Sequence, residues 1–321
     1  MDRVLVTGGA GFIGSNFIRT LLGTTDTEVV NLDLLTYAGN LDNLKGVERE
    51  KRYKFIKADI ADRSAVMNAL DGVDTVIHFA AESHVDNSIK DASAFVHTNV
   101  QGTKNMVECA MNSGVKRFLS IGTDEVYGSV EKGSSKETDM LEPRNPYSAT
   151  KAASDLIALS YFTTFGFDVV VTRSSNNYGP YQYPEKVIPL FITNLIDGKK
   201  VPLYGDGLNV RDWLHVEDNC GGILAAARKG KPGNIYNIGG GNEVRNIDLT
   251  KKILKFTRRD EGFIEPVEDR KGHDRRYSLD SSKIKSLGWR PRKKLDDGLR
   301  ETVEWYMKNE WWWRPLKAKT R

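Results

Sequence analysis

The stretch Thr7-Gly8-Gly9-Ala10-Gly11-Phe12-Ile13-Gly14 decides the fold of this 321-residue chain. It follows an apolar run that predicts a strand and precedes a stretch with helical periodicity, so the glycines lie in a turn between the two. A tight turn needs glycine, and a pyrophosphate approaches backbone closely only where no Cβ intrudes. The helix that follows offers free N–H groups and a positive dipole end to an anion. The stretch therefore predicts a dinucleotide-binding βαβ unit.

An acidic residue, Asp33, ends the second predicted strand, nineteen residues after Gly14. A carboxylate at this place accepts hydrogen bonds from the ribose hydroxyls of an adenosine. Its charge also repels the 2′-phosphate that distinguishes NADP. The pattern favours NAD over NADP, and over an ordinary glycine turn with no ligand.

Short β-rich runs alternate with helical stretches over the first 175 residues. This alternation is typical of a parallel sheet with helices on both faces, and right-handed crossovers give it a doubly wound order. We therefore predict an α/β fold of the Rossmann type with a smaller C-terminal substrate lobe. The predicted strands are residues 4–7, 28–33, 53–57, 75–79, 117–121 and 168–172, and the predicted helices are 12–22, 63–70, about 92–112 and 148–165.

The character of the sequence changes after Arg173. Residues 174–189 are rich in Asn, Tyr, Gly and Pro, which indicates an ordered loop and not a helix or strand. We expect residues 1–174 to form the NAD-binding lobe and the chain to return to it around 210–238. Residues 175–209 and 239–315 are expected to form a smaller lobe that binds a nucleotide sugar.

Composition excludes several classes of protein. With 39% hydrophobic and 28% charged residues, the chain is typical of a globular protein and has no apolar run of the ~20 residues that a membrane span needs. We read no signal peptide, because the N-terminus enters a strand at once. Two distant cysteines, Cys109 and Cys220, exclude a disulfide scaffold and fit a reducing compartment, so we expect a cytoplasmic location.

Neither a metal nor a nucleic acid is predicted as a partner. The five histidines show no metal-ligand spacing with cysteines or with one another. Residues 283–321 carry twelve Lys or Arg against five Asp or Glu, but no nucleic-acid-binding motif accompanies this charge. We interpret the stretch as a solvated surface helix and tail. The run Trp311-Trp312-Trp313 is expected to pack on the body of the protein or on a partner subunit.

Tyr147 and Lys151 begin a predicted helix at a spacing of i and i+4, which places them on one face. A tyrosine hydroxyl normally titrates near ~10, and a nearby ammonium together with the positive nicotinamide ring favours its phenolate form. Tyr147 is therefore a candidate general base for an alcohol whose carbon gives up hydride. Without a dinucleotide site earlier in the chain, the same spacing would indicate only a half-exposed helix face.

Two adjacent acids, Asp124 and Glu125, follow the predicted strand at 117–121. They are expected to face the same cleft as Tyr147, although the segment could also be a polar turn. Two carboxyl groups with different environments can act as acid and base. An elimination of water needs such a pair, since one proton leaves carbon while another reaches the departing oxygen.

The glycine pattern, Asp33, the turn at Asp59, Tyr147 and Lys151 together resemble the extended short-chain dehydrogenases/reductases. This resemblance implies a Rossmann lobe with a smaller lobe that binds a nucleotide sugar. It also implies a homodimer built on a four-helix bundle. Many members of the family are epimerases, dehydratases or decarboxylases.

The run 123–128, Thr-Asp-Glu-Val-Tyr-Gly, is similar to the active-site motif of the dTDP-glucose 4,6-dehydratases within that family. This resemblance spans about residues 3–305 and implies NAD-dependent loss of water across C5 and C6 of dTDP-glucose, with hydride taken from C4 and returned to C6. Gly122 departs from the serine common there, and we expect it to soften the loop. Further segments with the same resemblance are residues 32–40, 80–86, 175–181, 184–189, 209–214 and 269–276.

The resemblance also implies a role for particular residues. Tyr147 with Thr123 takes the proton of the sugar 4-hydroxyl, Glu125 removes the C5 proton, and Asp124 protonates the C6 hydroxyl. Lys151 holds the nicotinamide ribose. The expected cofactor residues are Gly8, Gly11, Phe12, Ile13, Gly14, Asp33, Leu34, Leu35, Thr36, Asp59, Ile60, Phe79, Ala80, Ala81, Thr98, Tyr147, Lys151 and Asn177. The expected substrate residues are Ser83, Thr123, Asn176, Lys186, Val187, Pro202, Tyr204, Arg211, Asn246, Arg270 and His273.

Two alternatives stay open at this stage. Another nucleotide-sugar enzyme of the same fold, such as a 4-epimerase or a UDP-glucuronate decarboxylase, shares the glycine loop and the Tyr147–Lys151 pair but needs no acid pair. A non-catalytic NAD-binding regulator or scaffold would be expected to lose these groups. The residues alone do not identify the nucleotide base, nor the pathway that uses the product.

Overall fold

A seven-stranded parallel sheet forms the centre of the computed structural model, which describes residues 1–269 and 273–319. In chain order the strands are β1 (Arg3–Thr7), β2 (Glu28–Asp33), β3 (Tyr53–Lys57), β4 (Thr75–His78), β5 (Arg117–Thr123), β6 (Val169–Ser174), β7 (Asn176–Tyr178), β8 (Val201–Tyr204), β9 (Val210–His215), β10 (Ile235–Ile238), β11 (Glu243–Arg245) and β12 (Ile264–Val267). The main sheet has the order β3-β2-β1-β4-β5-β6-β10.

Twelve α-helices occur in the described residues. They are α1 (Phe12–Thr24), α2 (Arg63–Ala69), α3 (Val85–Lys90), α4 (Ser93–Phe95), α5 (Thr103–Asn112), α6 (Pro146–Phe165), α7 (Val187–Ile196), α8 (Val216–Lys229), α9 (Asn246–Phe256), α10 (Ser282–Ser286), α11 (Leu295–Lys308) and α12 (Glu310–Lys319). Within the described residues, no helix is both long and apolar enough to span a membrane. The cytoplasmic location stays a prediction.

The strands of the main sheet are apolar because both faces of the sheet are covered. Val4, Leu5 and Val6 of β1 are wholly buried, as is typical of parallel sheets between two helical layers. One layer contains α1 and α8, and the other contains α2, α5 and α6. This is the expected doubly wound α/β fold. The strand order reverses between β1 and β4, and such sheets bind ligands at the crevice that this reversal opens.

The second lobe is built on a three-stranded sheet, β11-β9-β7, and a two-stranded sheet, β12-β8. Helices α7, α9, α11 and α12 share one apolar core with these strands. Between its segments the chain goes back to the main sheet, where β10 pairs with β6 and α8 packs on α1. The boundaries 175–209 and 239–315 stay a prediction.

The expectation of a loop over residues 174–189 is wrong in two places. Asn176–Tyr178 forms β7, which pairs in parallel with β9, and α7 begins at Val187. A short segment with two asparagines has little strand propensity of its own. Its strand conformation comes from the pairing with β9, which lies more than thirty residues later in the sequence.

The helix expected at about 92–112 is present, but its middle is π-helical. It runs without interruption from α4 through a π-helical segment at Val96–Gly102 into α5. A Cβ on Gly102 would lie 2.5 Å from the Ile60 side chain, so this glycine lets the helix approach the sheet closely. The π-helical segment contains Asn99, whose side chain bonds both Glu82 backbone groups and the Thr150 hydroxyl. Irregular helical turns of this kind often lie at functional sites.

A buried ion pair joins α6 to the main sheet. The Arg173 guanidinium on β6 donates to Asp155 on α6 at 2.8 Å and to the Tyr127 hydroxyl at 2.8 Å. The side chains of Asp155 and Arg173 are 0% and 2% exposed. Charges this deeply buried are tolerated only when they are paired.

We expect Asp155→Ala to lower the free energy of unfolding by about 3–5 kcal/mol, because it leaves the Arg173 charge buried and unpaired. Urea unfolding followed by circular dichroism measures the change. The matched control is Asp248→Ala, which breaks the exposed pair with Arg245 and should leave stability nearly unchanged. Equal effects of the two substitutions would contradict the importance given to burial.

Candidate active site

The glycine loop between β1 and α1 has the shape of an anion site. A Cβ on Gly8 would lie 2.7 Å from the Ala80 amide nitrogen, and one on Gly14 would lie 2.4 Å from the Gly8 carbonyl oxygen. Around Gly11 only the Gly8 carbonyl is within 4 Å of such a Cβ, so a ligand can approach the backbone there. No side chain caps the N-terminus of α1, and its N–H groups face this space. The loop therefore fits a pyrophosphate.

Asp33 fixes the glycine loop from the end of β2. One carboxylate oxygen accepts from the Ala10 amide at 2.9 Å, and the other accepts from the Leu35 amide at 2.8 Å. Burial raises the pKa of Asp33, although both backbone hydrogen bonds oppose the shift. The carboxylate lies beside the loop and lines the adjacent pocket, where it can also accept hydrogen bonds from a ribose.

One pocket collects most of the expected cofactor residues. All of them line it except Leu35 and Asn177. Leu35 contributes its backbone to Asp33, and Asn177 lies on β7, where its side chain donates to the Ser175 carbonyl at 2.9 Å. Two expected substrate residues, Ser83 and Lys186, line the same pocket, so the cofactor and sugar regions are continuous.

Several lining residues were not predicted. Among them are Tyr37, Glu82, Tyr181, Gln182, Tyr183 and Glu185. Four of these, Tyr37, Glu82, Tyr181 and Glu185, lie inside segments that carry the family resemblance, so the signal was present in the sequence. The other two, Gln182 and Tyr183, come from the second lobe. Their position depends on how that lobe packs over the crevice, which residue spacing does not reveal.

The acid pair lies where β5 ends in a tight 3₁₀ turn. Thr123 caps this turn, because its hydroxyl accepts from the Glu125 amide at 3.3 Å. Asp124 is 3% exposed. Burial, with the nearby charges of Glu125 and Asp212, raises the pKa of Asp124 well above its usual range. These effects favour the protonated form of Asp124, while Glu125 next to it is only partly buried.

Tyr147 is brought to the acid pair by the first turn of α6. Asn145 and Ser148 form a capping box that fixes where this helix begins. Tyr147 is 9% exposed, and the Thr123 side chain and the Glu125 and Asp124 charges all act on the pKa of its hydroxyl. Thr123, Glu125 and Tyr147 thus belong to one site.

The phenolate form of Tyr147, expected from a nearby ammonium together with the positive nicotinamide ring, stays a prediction. Burial raises the pKa of Tyr147, and the charges of Glu125 and Asp124 add to this effect. The Lys151 ammonium donates to the Ile121 carbonyl at 2.6 Å, and burial lowers its own pKa. Desolvation therefore favours the neutral tyrosine, and the positive charge of bound NAD would oppose this effect.

Gly122 lies inside β5 and not in a loop, which corrects the expected softening. A Cβ at this position would lie 2.9 Å from the Thr172 carbonyl oxygen and 3.0 Å from an Asp155 carboxylate oxygen. A serine therefore requires its neighbours to shift, and glycine fits the close packing between β5, β6 and α6.

The remaining expected substrate residues belong to the second lobe. Arg211 on β9 is 5% exposed, donates to the Asp274 carbonyl at 2.8 Å and stacks on the Tyr277 ring at 4.2 Å. His273 pairs with Asp269 at 2.6 Å. Arg270 lies outside the described residues. Asn176 is on β7, Val187 begins α7, Pro202 and Tyr204 are on β8, and Asn246 begins α9.

The chain matches the family model described as GDP-mannose 4,6 dehydratase over residues 5–302. It is 54% identical over 318 residues to the dTDP-glucose 4,6-dehydratase of Streptomyces griseus, and the match covers 98% of this chain and 97% of that protein. The chain belongs to the dTDP-glucose 4,6-dehydratase family. This membership confirms the resemblance of its active-site run.

Solved structures agree with membership of the dTDP-glucose 4,6-dehydratase family. The Streptomyces venezuelae dTDP-glucose 4,6-dehydratase, crystallised with NAD, has a TM-score of 0.96 at 53% identity, covering 98% of this chain and 99% of that one. The Thermus thermophilus UDP-glucose 4-epimerase in complex with NAD has a TM-score of 0.89 at 31% identity, covering 96% and 99%. Both enzyme types share the fold, so the fold alone does not separate them.

The buried Asp124 gives a pH-dependent stability that can be measured. Its pKa is 3.8 in the unfolded chain and higher in the folded protein, so between these values the folded state binds the extra proton. The Asp124 contribution to stability is therefore lost as pH rises above about 4. We expect Asp124→Asn to become progressively more stable than the wild type over this range, as measured by urea unfolding at a series of pH values.

The control is Asp71→Asn at an exposed site, for which the stability difference should stay flat with pH. A flat difference for Asp124→Asn would mean that Asp124 is ionised in the folded protein.

Proposed function

We propose that this protein removes water from dTDP-glucose with bound NAD and forms dTDP-4-keto-6-deoxyglucose. The observation that carries the proposal is the placement of the adjacent acids Asp124 and Glu125 at the site of Tyr147 and Thr123. Membership of the dTDP-glucose 4,6-dehydratase family supports the same reaction.

The pocket beside the glycine loop fits NAD. We assign the pyrophosphate to the loop around Gly11, the adenosine ribose to Asp33, and the nicotinamide ribose to Lys151 near Tyr147. The carboxylate of Asp33 disfavours a 2′-phosphate on that ribose. When bound here, NAD supplies the acceptor for the C4 hydride of the sugar and gives the hydride back at C6.

Tyr147 acts as the base toward the sugar 4-hydroxyl. Thr123 lies close enough to the Tyr147 hydroxyl to affect its pKa, and both groups face the same site. Burial raises the pKa of Tyr147, and a protonated phenol cannot accept a proton, so Tyr147 has to lose its own proton to solvent before it takes that of the sugar 4-hydroxyl. Lys151 lies one helical turn further on the same face, where its charge and that of bound NAD would stabilise the phenolate that accepts this proton.

The acid pair carries out the elimination. A ketone at C4 makes the C5 proton acidic, and Glu125 removes this proton. Asp124, which burial keeps protonated, donates its proton to the C6 hydroxyl so that water leaves. After the hydride reaches C6, Glu125 returns its proton to C5. The two neighbouring carboxyl groups have different roles because their environments differ.

The nucleotide and sugar are assigned to the second lobe and the adjoining pocket. Lys186, whose ammonium donates to the Ser83 carbonyl at 3.2 Å, is placed beside the sugar. Arg211 lowers the pKa of Asp124 by its charge and so lies near the acid pair. We propose that Ser83, Asn176, Lys186, Val187, Pro202, Tyr204, Arg211, Asn246, Arg270 and His273 bind the substrate.

A 4-epimerase or decarboxylase is not favoured, although the fold allows it. These reactions oxidise C4 but do not expel a hydroxyl from C6, and so they need no second acid. Incubation with dTDP-, UDP-, GDP- and CDP-glucose, followed by mass measurement, separates the possibilities. The dTDP sugar should lose one water, whereas unchanged masses with all four would overturn the proposal.

Deuterium at C4 of dTDP-glucose should appear at C6 of the product, because one bound cofactor accepts and returns the same hydride. Glu125→Gln should slow water loss by about 10²–10⁴-fold, since an amide cannot remove the C5 proton. C4 oxidation should persist, so reduced cofactor accumulates and can be followed by its absorbance.

The control is Glu131→Gln, an exposed position that should keep full activity. Label released to solvent, or a Glu125→Gln variant with normal turnover, would contradict the assigned roles.

We further propose that the protein forms a homodimer through α6 and the neighbouring π-helical segment. A strip of apolar side chains covers the outer face of these two elements. Val96 and Leu156 are 50% and 59% exposed, and the others are half-buried. The strip consists of Val96, Val100, Ala153, Leu156, Ile157 and Tyr161. Two such faces related by a two-fold axis would bury each other and form a four-helix bundle.

Leu156→Glu should convert the dimer to a monomer, because it places a charge at the centre of the strip. Sedimentation velocity at micromolar concentration measures the mass. Met140→Glu is the control, since Met140 is 79% exposed and lies outside the strip. A wild-type monomer, or a dimer that survives Leu156→Glu, would contradict the proposed interface.

A further inference from the structure

The Trp311-Trp312-Trp313 run lies in α12, beyond the residues that match the family model. Trp312 and Trp313 are 2% and 0% exposed, whereas Trp311 is 47% exposed. Two neighbouring residues of a helix seldom bury such large side chains together. Their indole N–H groups have partners in different parts of the molecule, and this difference indicates a role for one of them.

Trp312 is connected to the glycine loop through a single side chain. Its indole N–H donates to the Asn43 side-chain oxygen at 2.8 Å. The Asn43 amide group in turn donates to the Ala10 carbonyl at 2.8 Å, and the Asn40 amide donates to the same oxygen at 3.0 Å. Asn43 is 2% exposed, so both of its hydrogen bonds are protected from water. Two hydrogen bonds thus link α12 to the centre of the phosphate-binding loop.

A second contact of Trp312 reaches the wall of the cofactor pocket. Tyr181 lines the pocket and packs edge-on against Trp312, with ring centroids 5.7 Å apart. Tyr181 has a φ of +68°, which is unfavourable for a tyrosine and persists only when its neighbours hold it. Arg19 joins the two contacts, because its guanidinium lies over the Tyr181 ring and also donates to the Asn43 carbonyl at 2.7 Å.

Trp313 has no such connection. Its indole N–H donates to the Tyr306 carbonyl in α11 at 2.8 Å, so its hydrogen bond stays within the second lobe. Trp313 lies in the same helix as Trp312 and is equally buried, and its substitution also removes one buried hydrogen bond. Substitution of Trp313 therefore controls for those effects of a Trp312 substitution that come from packing alone.

We propose that Trp312 is a positioning residue that acts through Asn43 and Tyr181 to keep NAD bound between turnovers. The inference rests on the proposed function, in which each cycle regenerates NAD, so turnover does not require NAD to be released. In this proposal, NAD release requires movement of the glycine loop or of Tyr181, both of which line the pocket. Holding the glycine loop and Tyr181 in place pre-organises the site and slows NAD release, although Trp312 does not contact the cofactor.

The test uses Trp312→Phe and Trp313→Phe in the full-length protein loaded with NAD. Each keeps an aromatic ring and loses one indole N–H. NAD in the filtrate is measured over time after removal of free cofactor, with no sugar present. Trp312→Phe should release NAD about tenfold faster, as expected for one buried hydrogen bond, and Trp313→Phe should release it at the wild-type rate. Equal release rates for the two variants would overturn the proposal.

Asn43→Ala tests whether Trp312 acts through Asn43. It should also speed release, and the double variant Trp312→Phe/Asn43→Ala should release NAD no faster than Asn43→Ala alone. Additive effects would show that Trp312 acts by general packing and would overturn the proposed route.

Added NAD should restore the turnover rate of Trp312→Phe, with KM for dTDP-glucose unchanged. A raised KM that excess NAD does not correct would place the defect in sugar binding and would overturn the proposal. Because release is measured without sugar, the result is independent of whether the proposed reaction itself is correct.

Discussion

All strands of the main sheet run in the same direction, and the site depends on this constraint. Parallel strands place their carboxyl ends at one edge, so groups far apart in sequence meet there. The glycine loop follows β1, Asp33 ends β2, and Thr123 ends β5. Tyr147 and Lys151 come instead from α6, and the capping box at Asn145 sets where this helix begins.

Burial assigns the protonation states at this edge. Asp124 and Tyr147 are both removed from water, and in both the neutral form is favoured. For Asp124 this gives an acid ready to donate, at a cost in stability. For Tyr147 it means that Lys151 alone does not create a phenolate. Residue spacing indicates that the two groups lie near each other but carries no information about desolvation, so the rise in the pKa of Tyr147 could not be predicted from it.

Much of the fold could be predicted because its signals are local. Buried parallel strands such as β1 are continuous apolar runs, and the turn after β1 requires glycines. The strand β7 could not be predicted, since Asn176 and Asn177 adopt it only through β9. The π-helical turn at Val96–Gly102 has no local signal either, and Gly102 in it lies against Ile60, which is distant in the sequence. The roles proposed for the second-lobe residues came from family resemblance, because no local pattern marks them.

The return of the chain to the main sheet through β10 determines how this protein can be divided. β10 covers the outer edge of β6, yet it follows sixty residues that build much of the second lobe. A fragment that stops at Ser174 would therefore keep the glycine loop but leave β6 with unpaired backbone groups, an edge that invites aggregation. The two lobes do not follow one another along the sequence, because the chain returns to the main sheet between segments of the second lobe. Recombination that exchanges sugar specificity has to replace segments on both sides of β10 and leave β10 in place.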